Sequence, residues 1–329
     1  MEHVRFGRTG LQVSRLCLGT MTFGYQCDDA TSFAIMDASD AAGITFIDTA
    51  DVYPLGSPPA MVGRTEELVG QWLKGRRDDY VVATKCFYPT GTNAWERGSS
   101  RKNIMRSIDN SLRRLQTDYI DLYQLHMWDR HTPIDESLRA FDDLITAGKV
   151  RYAGCSNFLA YQVARSNGRA EVLGTARFDS VQPRYNLLFR ENERELLQLC
   201  AEDGLAVIPY NPLAGGFLSG KHKPGAATEG SRFTLGTSGS MYQERYWHDR
   251  MFRVVDELKM LAGEAGVSLP TLAVQWVLAN PAITSPIIGA SRPDQLADVV
   301  AAAASPLDPG LKQRLDELTN EFRYGDAAR

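Results

Sequence analysis

A chain of 329 residues, 43 % hydrophobic and 23 % charged, has ample material for a folded core and no compositional mark of disorder. Its formal net charge of −4 leaves no basic footprint for nucleic acid, and no apolar run approaches the ~20 residues of a membrane span. Five scattered cysteines (Cys17, Cys27, Cys86, Cys155, Cys200) and five histidines (His3, His126, His131, His222, His248) lack metal-ligand spacing. The odd thiol count and the absence of an apolar signal core at the start predict a cytoplasmic protein with reduced cysteines.

Residues 4–6 and 11–13, flanking Gly7-Arg8-Thr9-Gly10, predict a short hairpin. Strand and helix then alternate. Strands are expected at 15–20, 44–48, 80–84, 119–125, 150–155, 180–182, 205–210 and 285–288. Helices are expected at 29–42, from Thr65 as a cap with Glu66 and Glu67 in its first turn, and around Ile104, Ile108, Leu112 and Leu115. Thr132-Pro133-Ile134-Asp135 reads as another cap with a first-turn proline. Further helices are expected at 193–202, 249–265, 269–278, 293–303 and 309–321. Between 212 and 247 lies a Gly- and Ser-rich excursion of about thirty-five residues, a length usual for functional or mobile loops. The alternation predicts a (β/α)₈ TIM barrel with an N-terminal β-hairpin and extra C-terminal helices, as one domain over residues 1–329.

Proton-active residues stand at the ends of three of these strands. Asp48 closes the second, with Tyr53 five residues on; Lys85 follows the third and His126 the fourth. Singly, such residues are ordinary: a cap, a solvated lysine, a half-buried ring. A parallel barrel, however, carries all its strand ends to one face, and together they predict a site there.

With these residues placed, the sequence resembles the aldo-keto reductase superfamily along nearly its whole length. The likeness rests on Phe46-Ile47-Asp48-Thr49-Ala50 with Tyr53, Ala83-Thr84-Lys85, Leu125-His126, Gly154-Cys155-Ser156-Asn157-Phe158, Gln182 before Tyr185-Asn186, Tyr210-Asn211-Pro212-Leu213-Ala214-Gly215-Gly216, and Gly289-Ala290-Ser291-Arg292-Pro293. In style it is similar to the bacterial branch that also resembles β subunits of voltage-gated potassium channels. The resemblance implies a nicotinamide-dependent carbonyl reductase without a Rossmann domain. Tyr53 would be the proton donor, Lys85 the cation lowering its pKa, Asp48 the orienter of Lys85, and His126 the group that hydrogen-bonds the substrate oxygen. Ser156, Asn157 and Gln182 would hold the nicotinamide carboxamide, Tyr210 would stack on its ring, and Asp48 would border it.

The resemblance also implies backbone approach to the cofactor at Gly19, Thr20 and Met21. Asn211, Pro212, Leu213, Ala214 and Gly215, with Lys221 and Arg232, would fold over the pyrophosphate. Gly289, Ser291, Arg292, Gln295 and Asp298 would take the adenosine end, with Arg292 favouring NADPH over NADH. The sequence departs from the family's frequent Glu-Asn ending there, having Asp298-Val299. Met21, Phe23, Tyr25, Tyr53, Phe87, Trp95, His126 and Trp128 are the expected substrate walls, with Tyr88, Trp247 and Tyr324 as further aromatic candidates.

The expected partner is a small carbonyl compound, with no nucleic acid, membrane or metal involved. Three functions compete: reduction of an aldehyde, ketone or sugar-like carbonyl; alcohol oxidation in the reverse direction; and a cofactor-sensing subunit with slow residual turnover. Barrels of this family occur as monomers and as oligomers, and no sequence signal chooses between them.

Overall fold

A computed structural model describes residues 1–324. The opening hairpin pairs β1 (His3–Arg5) with β2 (Gln12–Ser14), His3 facing Ser14. Its turn runs through Gly7 at φ +57, where an added Cβ would stand 2.6 Å from Ala206 N and Gly204 O. That close approach plugs the barrel floor with Phe6, which is wholly buried and meets Phe46 edge-on at 6.0 Å.

The chain then alternates: β3 (Cys17–Gly19), α1 (Asp29–Ala41), β4 (Phe46–Asp48), α2 (Arg64–Leu73), β5 (Val81–Cys86), α3 (Arg101–Leu115), β6 (Ile120–Leu125), α4 (Ile134–Thr146), β7 (Val150–Ser156), α5 (Ala160–Leu173), β8 (Ser180–Gln182), α6 (Leu196–Asp203) and β9 (Ala206–Val207). After it come α7 (Gly239–Tyr246), α8 (Asp249–Glu264), α9 (Leu269–Leu278), β10 (Ile287–Ile288), α10 (Leu296–Ala304) and α11 (Pro309–Leu318). The eight strands from β3 onward pair in parallel, in the order β10-β3-β4-β5-β6-β7-β8-β9. Ile287 N–H donates to Pro209 O at 2.8 Å beside a Tyr210–Ile287 bridge, and this closes the ring into a barrel.

Several expected boundaries shift. Only Cys17–Gly19, Phe46–Asp48 and Ala206–Val207 of their predicted strands sit in the regular ladder. Thr65 does not cap α2. Gly63, at φ +89, precedes that helix, and the Thr65 hydroxyl donates instead to Phe23 O at 2.8 Å. Glu66 is no solvated first-turn acid either; it is fully buried, accepting from Thr84 Oγ1 at 2.6 Å and Arg114 Nε at 2.7 Å. Thr132 is drawn to the Asp129 carboxylate at 2.8 Å, so Pro133 occupies the cap position and α4 begins at Ile134. The start of the helix expected at 193–202 becomes a 3₁₀ turn, Glu191–Arg194, with Glu193 held by Arg190 at 2.8 Å.

The excursion is folded, and it contains a helix, α7, that its Gly/Ser-rich composition hides. Phe217 anchors it, its ring centroid within 6.4 Å of those of His222, Phe233, Tyr246, Trp247 and Phe252. Among the described residues, no helix is long and apolar enough to cross a membrane. No group of three or more potential metal ligands stands together among them either.

Candidate active site

The barrel interior explains why the site residues stand where they do. Side chains alternate in and out along a strand, so the residue two places beyond an inward one also faces in. The floor is a packed layer containing Cys17, Phe46, Ala83, Leu122, Ala206 and Ile287. Two residues further along, the same face carries Gly19, Asp48, Lys85, Gln124, Ile208 and Gly289. Apolar floor and polar ceiling thus come from one periodicity.

Lys85 is 0 % exposed and donates to Asp48 Oδ2 at 2.5 Å and Thr49 O at 2.8 Å. The other carboxylate oxygen, Asp48 Oδ1, accepts from Gln182 Nε2 at 2.9 Å and Gln124 Nε2 at 3.3 Å. A buried ion pair of this kind persists only when its remaining valences are filled, and here two amides fill them. Gln124 was not singled out from the sequence; being a polar residue in phase with inward-facing Leu122 was the available signal. The Lys85 ammonium also lies 5.0 Å from the centre of the Tyr53 ring. Tyr53 and His126 meet edge-on at 5.8 Å, and Tyr88 closes on the other side of His126 at 4.9 Å.

Electrostatically the phenol differs from expectation. Burial pushes the Tyr53 pKa well above 10, and the Asp48 carboxylate pushes it further in the same direction. The Lys85 ammonium, held by Asp48 and Thr49, faces the Tyr53 ring from 5.0 Å. Tyr53 is therefore held as the phenol. Burial, with the Lys85 charge, likewise keeps His126 neutral, well below 6.5. Its Nδ1 is buried and has no hydrogen-bond partner among the described residues.

Beside these groups runs one hydrogen-bonded chain. Tyr210 OH donates to Asn157 Oδ1 at 2.8 Å, Asn157 Nδ2 donates to Ser156 Oγ and His126 O at 3.0 Å, and Ser156 Oγ donates to Gln182 O at 2.8 Å. All of them border a cleft of about 940 Å³ that reaches from Asp48, Tyr53 and His126 to Ser291, Arg292 and Asp298. Gly19, Thr20, Met21, Asn211, Pro212, Leu213, Gly215, Lys221, Arg232, Gly289 and Gln295 also line it, whereas Ala214 is buried behind its wall. Gly215 turns the chain at φ +70, where a Cβ would meet the Tyr242 ring at 2.6 Å; its N–H donates to Asn211 Oδ1 at 2.7 Å. Ser291 N–H is not open to a ligand, since Gln295 Oε1 accepts from it at 2.8 Å.

Most of the expected aromatic walls lie elsewhere. Phe23 is wholly buried in the core, Tyr25 is exposed beside Gly236, and Trp95 is exposed under Lys102. Phe87 packs on Tyr88, and Trp128 packs edge-on against Phe158 at 5.2 Å. Trp247 belongs to the aromatic cluster of the excursion, and Tyr324 is exposed. Of the expected walls, Met21, Tyr53, Tyr88 and His126 do line the cleft, joined by Val52, Leu55, Met127 and Met241.

Residues 15–320 match the aldo/keto reductase family model. The chain belongs to the aldo/keto reductase family. It is 39 % identical over 326 residues to an uncharacterized oxidoreductase, YrpG, of Bacillus subtilis, covering 97 % of this chain and 96 % of that one. A probable voltage-gated potassium channel subunit beta of Oryza sativa is 37 % identical, with 92 % and 91 % covered. A versiconal hemiacetal acetate reductase of Aspergillus parasiticus is 31 % identical, with 96 % of each chain covered. This aldo/keto reductase is thus an oxidoreductase using a nicotinamide dinucleotide, and carbonyl reduction is its general chemistry. Its own donor set fits such a group. Ser156, Asn157 and Gln182 line the cleft with His126, and Lys221 lines it too, its pKa lowered by burial and by the Arg292 charge. Two cations crowded in this way suit a phosphate.

The reductase's histidines also set an acid limit on its stability. Burial and the Lys221 charge depress His222 to about 4, and His126 is depressed in the same direction. On unfolding both regain ordinary values, so below about pH 6.5 the unfolded chain binds more protons. Stability then falls as pH drops toward 4, by up to about 1.4 kcal/mol per pH unit for each histidine. Urea unfolding at neutral pH and near pH 5 should show a shallower loss for His222→Phe than for the native protein. Equal losses would contradict the assignment.

Proposed function

We propose that this reductase takes NADPH and reduces an aldehyde, ketone or sugar-like carbonyl to the alcohol, with Tyr53 as the proton donor. The observation that carries this reading is the Tyr53 ring edge-on to His126 and facing the Lys85 of a buried Asp48–Lys85 pair, at the head of an open cleft. When bound, the dinucleotide supplies the hydride. The chain's residues do the rest. His126 offers an N–H to the carbonyl oxygen and orients it; Tyr53 gives that oxygen its proton as negative charge builds there. Asp48 and Lys85 fix the polar floor beneath the phenol. Ser156, Asn157 and Gln182 hold the carboxamide, and Tyr210 lies against the nicotinamide ring.

Direction follows from the proton. Reduction needs the phenol, which burial favours, while alcohol oxidation needs the phenolate, which burial opposes. Near neutral pH the residue therefore stands in the form from which reduction begins. The test is fluorescence titration with NADPH and NADH, then a carbonyl panel followed by NADPH consumption. Tight binding without turnover on any carbonyl would favour a cofactor sensor, the reading raised by the channel-subunit relatives. The five cysteines stand free and buried, as suits a cytoplasmic enzyme of small molecules.

NADPH preference is assigned to Arg292, whose side chain is 63 % exposed and, among the described residues, tied only to Asp294 at 3.2 Å. A guanidinium so placed can turn to a 2′-phosphate. Arg292→Ala should raise the dissociation constant for NADPH about tenfold and that for NADH less than about twofold. Equal losses in the two titrations would place the phosphate contact elsewhere.

A further inference from the structure

Three arginines line the cleft: Arg232, Arg245 and Arg292. Arg292 belongs to the adenosine end, and Arg232 stands near Gly289, its Nη2 3.1 Å from where a Cβ would be. Arg245 is different. It comes from the last turn of α7, on the same face as Met241, which also lines the cleft. Its charge acts on Tyr88, Tyr210 and Tyr246, lowering each phenol against the effect of burial. Tyr88 is the ring that packs on His126, and Arg245 lines the same cleft as Tyr88, His126 and Tyr53. It is half-buried, and no carboxylate oxygen lies within 4.0 Å of it among the described residues. The deeply placed arginines 77, 114 and 190 all have such a partner.

A half-buried cation without a counter-ion, one turn along α7 from Met241 in a cleft also lined by Val52, Leu55 and Met127, is costly unless an anion visits it. We propose that Arg245 binds a carboxylate carried by the substrate, so that the preferred substrates are acidic carbonyl compounds with a short apolar body between the two groups. This rests on carbonyl reduction as the function. A planar guanidinium binds a carboxylate through two parallel N–H donors, which fixes the orientation of the substrate as well as its affinity. The contact exists in the ground state as in the transition state, so it acts mainly through KM.

The test compares 3- and 4-carboxybenzaldehyde with the matching carbamoylbenzaldehydes, which keep shape and lose charge. The native reductase should favour at least one acid over its amide by about tenfold in kcat/KM, chiefly through KM, with the preference shrinking as sodium chloride is raised. Arg245→Gln should abolish that preference while leaving the amides within about twofold, and Arg245→Lys should retain part of it. No preference in the native protein overturns the proposal. So does an equal loss on acids and amides, or a weakened NADPH titration in Arg245→Gln. If no aldehyde is reduced at all, the carbonyl-reduction reading has failed instead. Calorimetric titration with benzoate and benzamide then still decides: Arg245→Gln must weaken benzoate alone, and an unchanged benzoate affinity refutes the site.

Discussion

Tyr53→Phe should lower carbonyl turnover by about 10²–10⁴-fold, the usual worth of a positioned general acid, while leaving NADPH titration and unfolding midpoints nearly unchanged. The ring keeps its packing because phenylalanine fills the same edge-on contact with His126 and stays over the Lys85 ammonium. Only the proton is removed. The loss should fall on kcat and kcat/KM alike, since the proton moves only as the hydride arrives. Undiminished turnover would overturn the assignment and turn attention to His126. That alternative is poorly supported by the electrostatics: an imidazole depressed well below 6.5 carries one N–H and no readily lost second proton at neutral pH.

The raised phenol adds a signature in the native enzyme. Reductive kcat/KM should stay flat through neutral pH and into the alkaline range, because Tyr53 remains protonated there. Oxidation of the corresponding alcohol should rise with pH over the same interval, as phenolate becomes accessible. A flat profile in one direction and a rising one in the other belong to one group serving both directions.

Much of this site was legible in the sequence because it depends on local periodicity. Phe46 and Asp48, Ala83 and Lys85, and Gly19 beyond Cys17 are pairs spaced by two, so the inward phase of each strand names its ceiling residue. Gln124 obeys the same rule beyond Leu122 and could have been found by it. What the sequence hid was set at long range. Glu66 looks like a first-turn acid until Thr84 and Arg114 arrive from other elements to bury it. The substrate walls depend on which loops cross the barrel mouth, so aromatic character was a poor guide: Trp95 ended in solvent and Trp128 against Phe158, while Val52 and Met241 face the cleft. Burial, too, is set at long range, and it raises the Tyr53 phenol even with the Lys85 ammonium, held by Asp48, close to its ring.

That hold makes Lys85→Met the most disruptive single change expected in the barrel. The lysine is wholly buried, and removing it strands the buried Asp48 carboxylate one layer above apolar Phe46, Ala83 and Leu122. Breaking a buried pair on one side typically costs ~3–5 kcal/mol. The cost should lie at the lower end here, because Gln182 and Gln124 still donate to Asp48 Oδ1. Turnover should fall as well, and urea unfolding beside steady-state kinetics would record both losses. The double variant Asp48→Asn/Lys85→Met separates them. It removes both charges while keeping an amide of the carboxylate's shape, so stability should return to within about 1–2 kcal/mol of the native value. Turnover should not return with it, since the ion pair that fixes the polar floor beneath Tyr53 is gone. If activity recovered along with stability, the pair would be barrel-mouth architecture and the chemistry would rest on Tyr53 and His126 without it.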